Sequence, residues 1–289
     1  KVSEGCKNCY AEELMDKRYQ KVQWGPQGTR VRTSAANWKK PLAWNRAADK
    51  DTFLHCTKCG WRGFQLQCYG NRLEFCPSCD SQWGWEYARQ RVFCASLADV
   101  FEDRPELVAW RSDLLMLIQM TPNLDWLLLT KRPENVMRLA NESWQLNGGQ
   151  PVAGFPPNVW IGTSVENQEQ ADKRIPELLN IPASVRFLSM EPLLGPVELP
   201  IIESYVYPDG FETNGPIIPH GIGLYDNPDE FINWVIVGGE SGHKARPMHP
   251  DWARTIRDQC QVAGVPFLFK QWGEWIDWRQ AGAFSLTAV

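Results

Sequence analysis

The chain has 289 residues, 43% of them hydrophobic and 22% charged, with a formal net charge of −4 and a pI near 5.7. This apolar content excludes a disordered chain, and the length predicts one large core with a minor appendage. The acidic balance excludes the global positive field that drives non-specific nucleic-acid binding, and leaves any such contact to a local patch.

No run of about 18 apolar residues occurs. The opening KVSEGCKNCYAEE lacks the charged start and apolar middle of a signal peptide, so a soluble, cytoplasmic protein with no membrane partner is expected. Nine cysteines would suggest disulfides in a small secreted chain, but six of them fall in three Cys-x2-Cys pairs, the spacing of metal ligands in a reducing compartment.

Residues 1–49 hold the first pair and a first helix. Gly5-Cys6-Lys7-Asn8-Cys9-Tyr10 precedes the helix-like AEELMDKRYQ. Such a loop is a redox dithiol, half of a zinc site, or two ligands of an iron–sulfur cluster, and no thioredoxin-like context follows to favour the first. Residues 50–90 carry no barrel-type strand and read as an inserted module. There Cys56 and Cys59 are followed, after sixteen residues, by Cys76 and Cys79. Each turn presents two thiolates on one side and the two turns close a tetrahedron, which is the pattern of a structural zinc ribbon. His55 and Cys68 are expected to stand outside the ligand set. The ribbon reads as a metal staple for a lobe too small to fold alone, as a nucleic-acid or partner contact through Arg62, Arg72, Trp61, Phe64 and Tyr69, or as a holder of an auxiliary iron–sulfur cluster.

From 91 to 289, short apolar runs alternate with helix-like runs: RVFCASL (91–97), DWLLLT (125–130), VWIGTSV (159–165), VRFLSM (185–190), NWVIVGG (233–239) and PFLFKQ (266–271). This alternation predicts an α/β fold, a partial parallel β/α (TIM-like) barrel. Pro105 suits a first helical position, with Leu107, Trp110, Leu114, Leu117 and Ile118 on one face; Trp252, Ile256 and Cys260 repeat at helical period before Gly264. Fifteen tryptophans, several in segments without periodicity (Trp24, Trp38, Trp44, Trp61, Trp83, Trp85, Trp272, Trp275, Trp278), are expected to pack loops onto the barrel. Each strand ends in polar residues, as expected where the carboxyl ends carry chemistry: Ser96 and Asp99; Thr130, Lys131 and Arg132; Ser164, Glu166 and Asn167; Glu191; Glu240 and Ser241; Lys270 and Gln271. Residues 198–232, rich in Pro, Gly and Asn, read as a long loop or lid over that rim.

The segments KVSEGCKNCYAE, LLLTKRPENV, VWIGTSVENQEQADKRI, RFLSMEPLLGPVEL, NWVIVGGESGHKARPMHPDWARTIRDQC and PFLFKQWGEW together resemble a phage-associated, radical-SAM-like family, over most of the chain outside 50–90 and 200–230. In that family the loop reads Gly-Cys-x6-Cys-x2-Cys, three ligands of a four-iron four-sulfur cluster that binds S-adenosylmethionine. Cys6 and Cys9 match the second and third ligands; the first falls two positions before Lys1, so the natural start, with the family's first barrel strand, is expected to lie upstream. The resemblance implies that Ser96 and Asp99 meet the amino group of S-adenosylmethionine, Lys131 or Arg132 its carboxylate, Ser164 and Glu166 the ribose, and Glu191 with Gly238 and Gly239 the adenine. Tyr10 and Glu240 join this cofactor set, and Arg132, Lys270, Gln271 and Trp272 are candidates for the substrate. It also implies a 5′-deoxyadenosyl radical, an electron donor such as flavodoxin, and a bacterial host cytoplasm.

Three rival readings stand beside it. Glu166, Glu191 and Glu240 at strand ends would suit a glycoside hydrolase, where two carboxylates flank the bond. A zinc-ribbon nucleic-acid-binding protein with a non-catalytic barrel is the second, and a radical enzyme closing over a free small metabolite the third. The leading expectation for substrate is a nucleobase, in phage DNA or as a nucleotide, stacked by the abundant tryptophan.

Overall fold

The computed structural model describes residues 2–65, 75–81, 84–146, 148–151, 153–199, 202–206, 212–217 and 231–275. Within 50–90, strands β1 (Phe53–Cys56), β2 (Arg62–Phe64) and β3 (Trp85–Tyr87) form a small antiparallel sheet in the order β2-β1-β3. Arg72, Tyr69, Cys68 and Trp83 lie outside the described residues, as does Trp278.

The main sheet contains β4 (Gln90–Cys94), β5 (Leu124–Thr130), β6 (Val159–Ser164), β7 (Val185–Met190), β10 (Trp234–Gly238) and β11 (Phe267–Gln271), all parallel and side by side in that order. Each agrees with its apolar run in the sequence to within a few residues. Every strand of this sheet lies beside the previous one in the chain, so the sheet is singly wound. The helices pack together on one face, and the sheet curls into a half-barrel.

The crossovers contain α3 (Pro105–Gln119), α4 (Val136–Leu146), α5 (Gln168–Leu179) and α6 (Pro250–Val262). Pro105 and Pro250 open their helices, Asn167 caps α5 by accepting from the Gln170 amide at 3.1 Å, and Gly264 follows α6 at φ +65°. Strand parity divides the packing. Leu124, Trp126, Leu128, Ile161, Leu188, Val235 and Val237 join the helices in the main core, while Leu127, Phe187 and Ile236 form a second cluster on the concave face with Leu129, Trp160, Trp234 and Leu268 against it. Burial on both faces is why these strands read as continuous apolar runs. Gly162 is required here, because the Phe187 ring occupies the space a Cβ would take.

The segment after the first cysteine pair is helical, as α1 (Tyr10–Glu12) continued by a π-helix over Glu13–Arg18. Two expectations are corrected. A further helix, α2 (Ala35–Ala48), carries Trp38 and Trp44, which the sequence leaves unassigned; Trp38 packs on the core, whereas Trp44 is exposed. The 198–232 segment is not all loop, since β8 (Ile202–Val206) pairs antiparallel with β9 (Glu212–Ile217). No helix among the described residues is long and apolar enough to cross a membrane.

Candidate functional site

The carboxyl ends of the strands carry a ring of carboxylates, each with a resident cation. Glu166, just past β6, is fully buried; it is paired with Lys131 after β5 and with Arg174 of α5 at 2.9 Å. Arg174 is itself 2% exposed and also donates to the Ser164 carbonyl at 2.8 Å. Burial alone would raise the Glu166 pKa, but Lys131 and Arg174 outweigh it and hold the carboxyl below its ordinary value. Past β10, Glu240 is clasped by Arg246 through two guanidinium nitrogens at 2.8 and 2.7 Å and the backbone amide at 2.8 Å. Its carboxyl is likewise held low, against its burial. Glu191, past β7, meets Lys270 of β11 at 3.1 Å.

Asp99 accepts from the Thr130 hydroxyl at 2.7 Å, the Lys131 amide at 3.1 Å, the Phe101 amide at 3.0 Å and Arg132 at 2.8 Å. Its oxygens are taken up in joining the β4 and β5 loops, so it is placed as an organiser of Lys131 and not as an open acceptor for an ammonium. Ser96 offers its backbone carbonyl, which accepts from the Tyr10 hydroxyl at 2.7 Å. Gly238 lies against the Glu191 carboxylate and Gly239 against the backbone of Trp272; in neither place would a Cβ fit. Trp272 stacks edge-on with Phe269 at 4.7 Å, and Gln271 donates to Ser241 at 2.9 Å.

The turn bearing Cys6 and Cys9 lies across this mouth, held by the same carboxylates. Ser3 donates to Glu166 at 2.9 Å, and a Cβ on Gly5 would come within 2.5 Å of the Glu166 Cγ. Asn8 donates to Glu240 at 3.3 Å and to the Lys244 carbonyl at 2.8 Å, while Arg246 reaches Glu4 at 3.1 Å. Burial opposes ionisation of Cys6, but backbone hydrogen bonds at Ser3 and Val2 and the Lys131 ammonium outweigh it and lower the thiol pKa. Two soft donors on one turn beside a cation suit an iron–sulfur cluster, which needs thiolates and carries negative charge. Sequence reasoning found the carboxylates and cysteines but missed Arg174, Arg246, Ser3 and Asn8; none has a local signal, because each acts through a partner distant in the chain or hidden in a helix.

A second centre lies in the ribbon. The sulfurs of Cys56, Cys59, Cys76 and Cys79 all lie within 4.8 Å of one another, with Cys56–Cys79 at 3.8 Å and Cys59–Cys76 at 3.5 Å. A tetrahedron with Zn–S bonds of about 2.3 Å has sulfurs about 3.8 Å apart, so the donor set fits zinc. The two turns are built alike. The amide four residues after each first cysteine returns to that cysteine's carbonyl at 2.9 Å, and the closing residues Gly60 and Asp80 take φ of +75° and +53°. Cys59 and Cys79 do not ionise alike. The Trp61 backbone lowers Cys59 to about 7, whereas at Cys79 burial and the neighbouring thiols outweigh the Ser81 amide and push it to about 12. A dication would remove that conflict by taking all four as thiolates. His55 faces Glu86 at 4.0 Å, outside the ligand set.

No curated protein and no solved structure matches the chain. A family model does match, over residues 1–284, and the chain belongs to that family, described as a protein of unknown function (DUF5131).

Proposed function

We propose that the protein is a radical S-adenosylmethionine enzyme acting on a nucleobase. One observation carries the reading: the Cys6–Cys9 turn is pinned across the carboxyl mouth of a singly wound parallel sheet, where ligands of β/α barrels bind. Cys6 and Cys9 would hold a four-iron four-sulfur cluster as two of its cysteine ligands. Such a cluster, reduced by an external one-electron donor, would supply the reductive cleavage of bound S-adenosylmethionine from which hydrogen abstraction follows.

The chain's own groups orient and shield. Lys131, 22% exposed, would meet the methionine carboxylate, while buried Arg174 keeps Glu166 neutralised. Glu191 would receive the ammonium, because its partner Lys270 is 55% exposed and readily displaced. Asp99 holds Lys131 in place through its amide. The two-carboxylate hydrolase reading finds no support in Glu166 or Glu240, since a general acid needs a raised pKa and both are lowered.

The test is anaerobic reconstitution of the full-length protein. A brown protein that binds four irons beyond any ribbon metal and releases 5′-deoxyadenosine from S-adenosylmethionine under a flavodoxin-type donor is expected. A colourless, iron-free product that leaves S-adenosylmethionine intact overturns the proposal.

A further inference from the structure

Three guanidiniums gather where the ribbon meets the first strand of the half-barrel, at the end of the sheet opposite the cysteine turn. Arg62 opens β2, Arg89 lies in the link to β4, and Arg91 is the second residue of β4. Arg89 reaches Asp125 at 3.5 Å, and its carbonyl accepts from Arg62 at 2.7 Å. Arg91 stands opposite Asp125 in the β4–β5 register. Its guanidinium lies over two indoles, 4.5 Å from the centre of Trp160 and 5.0 Å from that of Trp234.

The local charge does not balance. Asp125 is 6% exposed, and Glu86, the other carboxylate nearby, faces His55 from the outer strand. Three arginines against two carboxylates leave a positive junction on a chain whose net charge is −4. Among the described residues neither Arg62 nor Arg91 forms an ion pair with a carboxylate. Burial lowers the Arg62 pKa, and burial with the Arg62 charge lowers Arg91 to about 10, in each case against the opposing pull of Asp125.

Indole faces offer a guanidinium no oxygen to accept its N–H groups, so these remain for an outside acceptor, and a phosphate matches that fork with two oxygens. The indoles, partly buried against the Leu127, Phe187 and Ile236 cluster, give Arg91 a fixed backing. The geometry points to a phosphate-binding site at this junction, in which Arg62, Arg89 and Arg91 hold the backbone of a single-stranded nucleic acid with Trp160 and Trp234 behind it. This deepens the reading above, on which it rests for the nucleobase, by making the substrate a polynucleotide and not a free nucleotide.

The test reads binding alone. Zinc-loaded protein is titrated with a short fluorescent single-stranded oligodeoxynucleotide across a salt series. Arg91→Gln should weaken binding about 10-fold and Arg89→Gln, on the exposed side of the patch, about 5-fold, each lowering the slope of log K against log salt by about 0.7. Arg91→Lys should restore the slope but not the affinity, because it keeps the charge and loses the fork. Lys39→Gln, on exposed α2, should change neither, and zinc content and thermal midpoint report whether each variant is folded. The site is refuted by wild-type protein that does not bind, by unchanged binding in folded Arg89→Gln and Arg91→Gln, or by equal weakening in Lys39→Gln. Loss of reduction by an acidic flavoprotein with oligonucleotide binding intact also refutes it, as a protein-docking surface. Arginine-dependent binding without deoxyadenosine formation would sink the radical reading and leave this site standing.

Discussion

Replacing Glu166 by Gln removes one charge from a group that three elements share. The carboxylate is 0% exposed, Arg174 is 2% exposed and Lys131 is 22% exposed at the side chain. Arg174 would then be a buried cation with no anion, while Lys131 can turn toward water. Breaking a buried pair from one side costs about 3–5 kcal/mol, most of it the stranded charge. For a chain of 289 residues, an unfolding entropy of about 2.1 cal/mol/K per residue turns this into a fall of roughly 5–8 °C in thermal midpoint. Adding Arg174→Met should recover about 1–2 kcal/mol, because the stranded charge goes too and only the Ser164 carbonyl loses a donor. Urea unfolding of the two variants, with hydrogen exchange over residues 3–9, reads both effects; exchange there should quicken as the Ser3 contact weakens. A loss under about 1 kcal/mol in Glu166→Gln, or an Arg174→Met change that adds to the loss, would refute the idea that Glu166 is an electrostatic keystone.

The same geometry sets three other expectations. Gly5→Ala should force the cysteine turn off Glu166, costing about 1–3 kcal/mol and abolishing iron incorporation, read by unfolding and metal analysis. Chelation, or Cys76→Ser, should release one zinc per chain and unfold the ribbon while the far-ultraviolet dichroism of the α/β core persists; a ribbon that keeps its protease resistance without metal would contradict this. The lowered pKa values of Glu166 and Glu240 mean that their stabilisation is complete above an unfolded value of about 4.3 and is lost as pH falls through the folded values. The urea midpoint should therefore drop below about pH 4, and less steeply in Glu166→Gln.

The legible part of the fold was the part buried on both faces. DWLLLT and VRFLSM have no polar side to present, so they read as strands regardless of context, and the polar residues that close them mark the rim. α2 was missed because AANWKKPLAWNRAA shows no sharp apolar face, contains Pro41 and buries only that residue, so its period carries little signal. The β8–β9 hairpin was hidden by a composition of Pro, Gly and Asn that loops share.

At the site, anions were legible and cations were not, for a physical reason. A carboxylate that ends an apolar strand stands out against its neighbours, whereas Arg174 belongs to the polar-looking helix QEQADKRIPELL and Arg246 to an irregular turn; only tertiary packing brings each to its carboxylate. A rim whose carboxylates already carry partners cannot bind a zwitterion by simple addition, and binding must exchange one ion pair for another. The exposed Lys270–Glu191 pair and the shared Lys131 are where exchange costs least, because Lys270 is well solvated and Glu166 keeps Arg174 when Lys131 turns away. If the proposed cofactor binds here, Lys270→Met should free Glu191 and tighten S-adenosylmethionine in calorimetry, while Lys131→Met should weaken it. The opposite pair of signs would move the ligand's ammonium elsewhere on the rim.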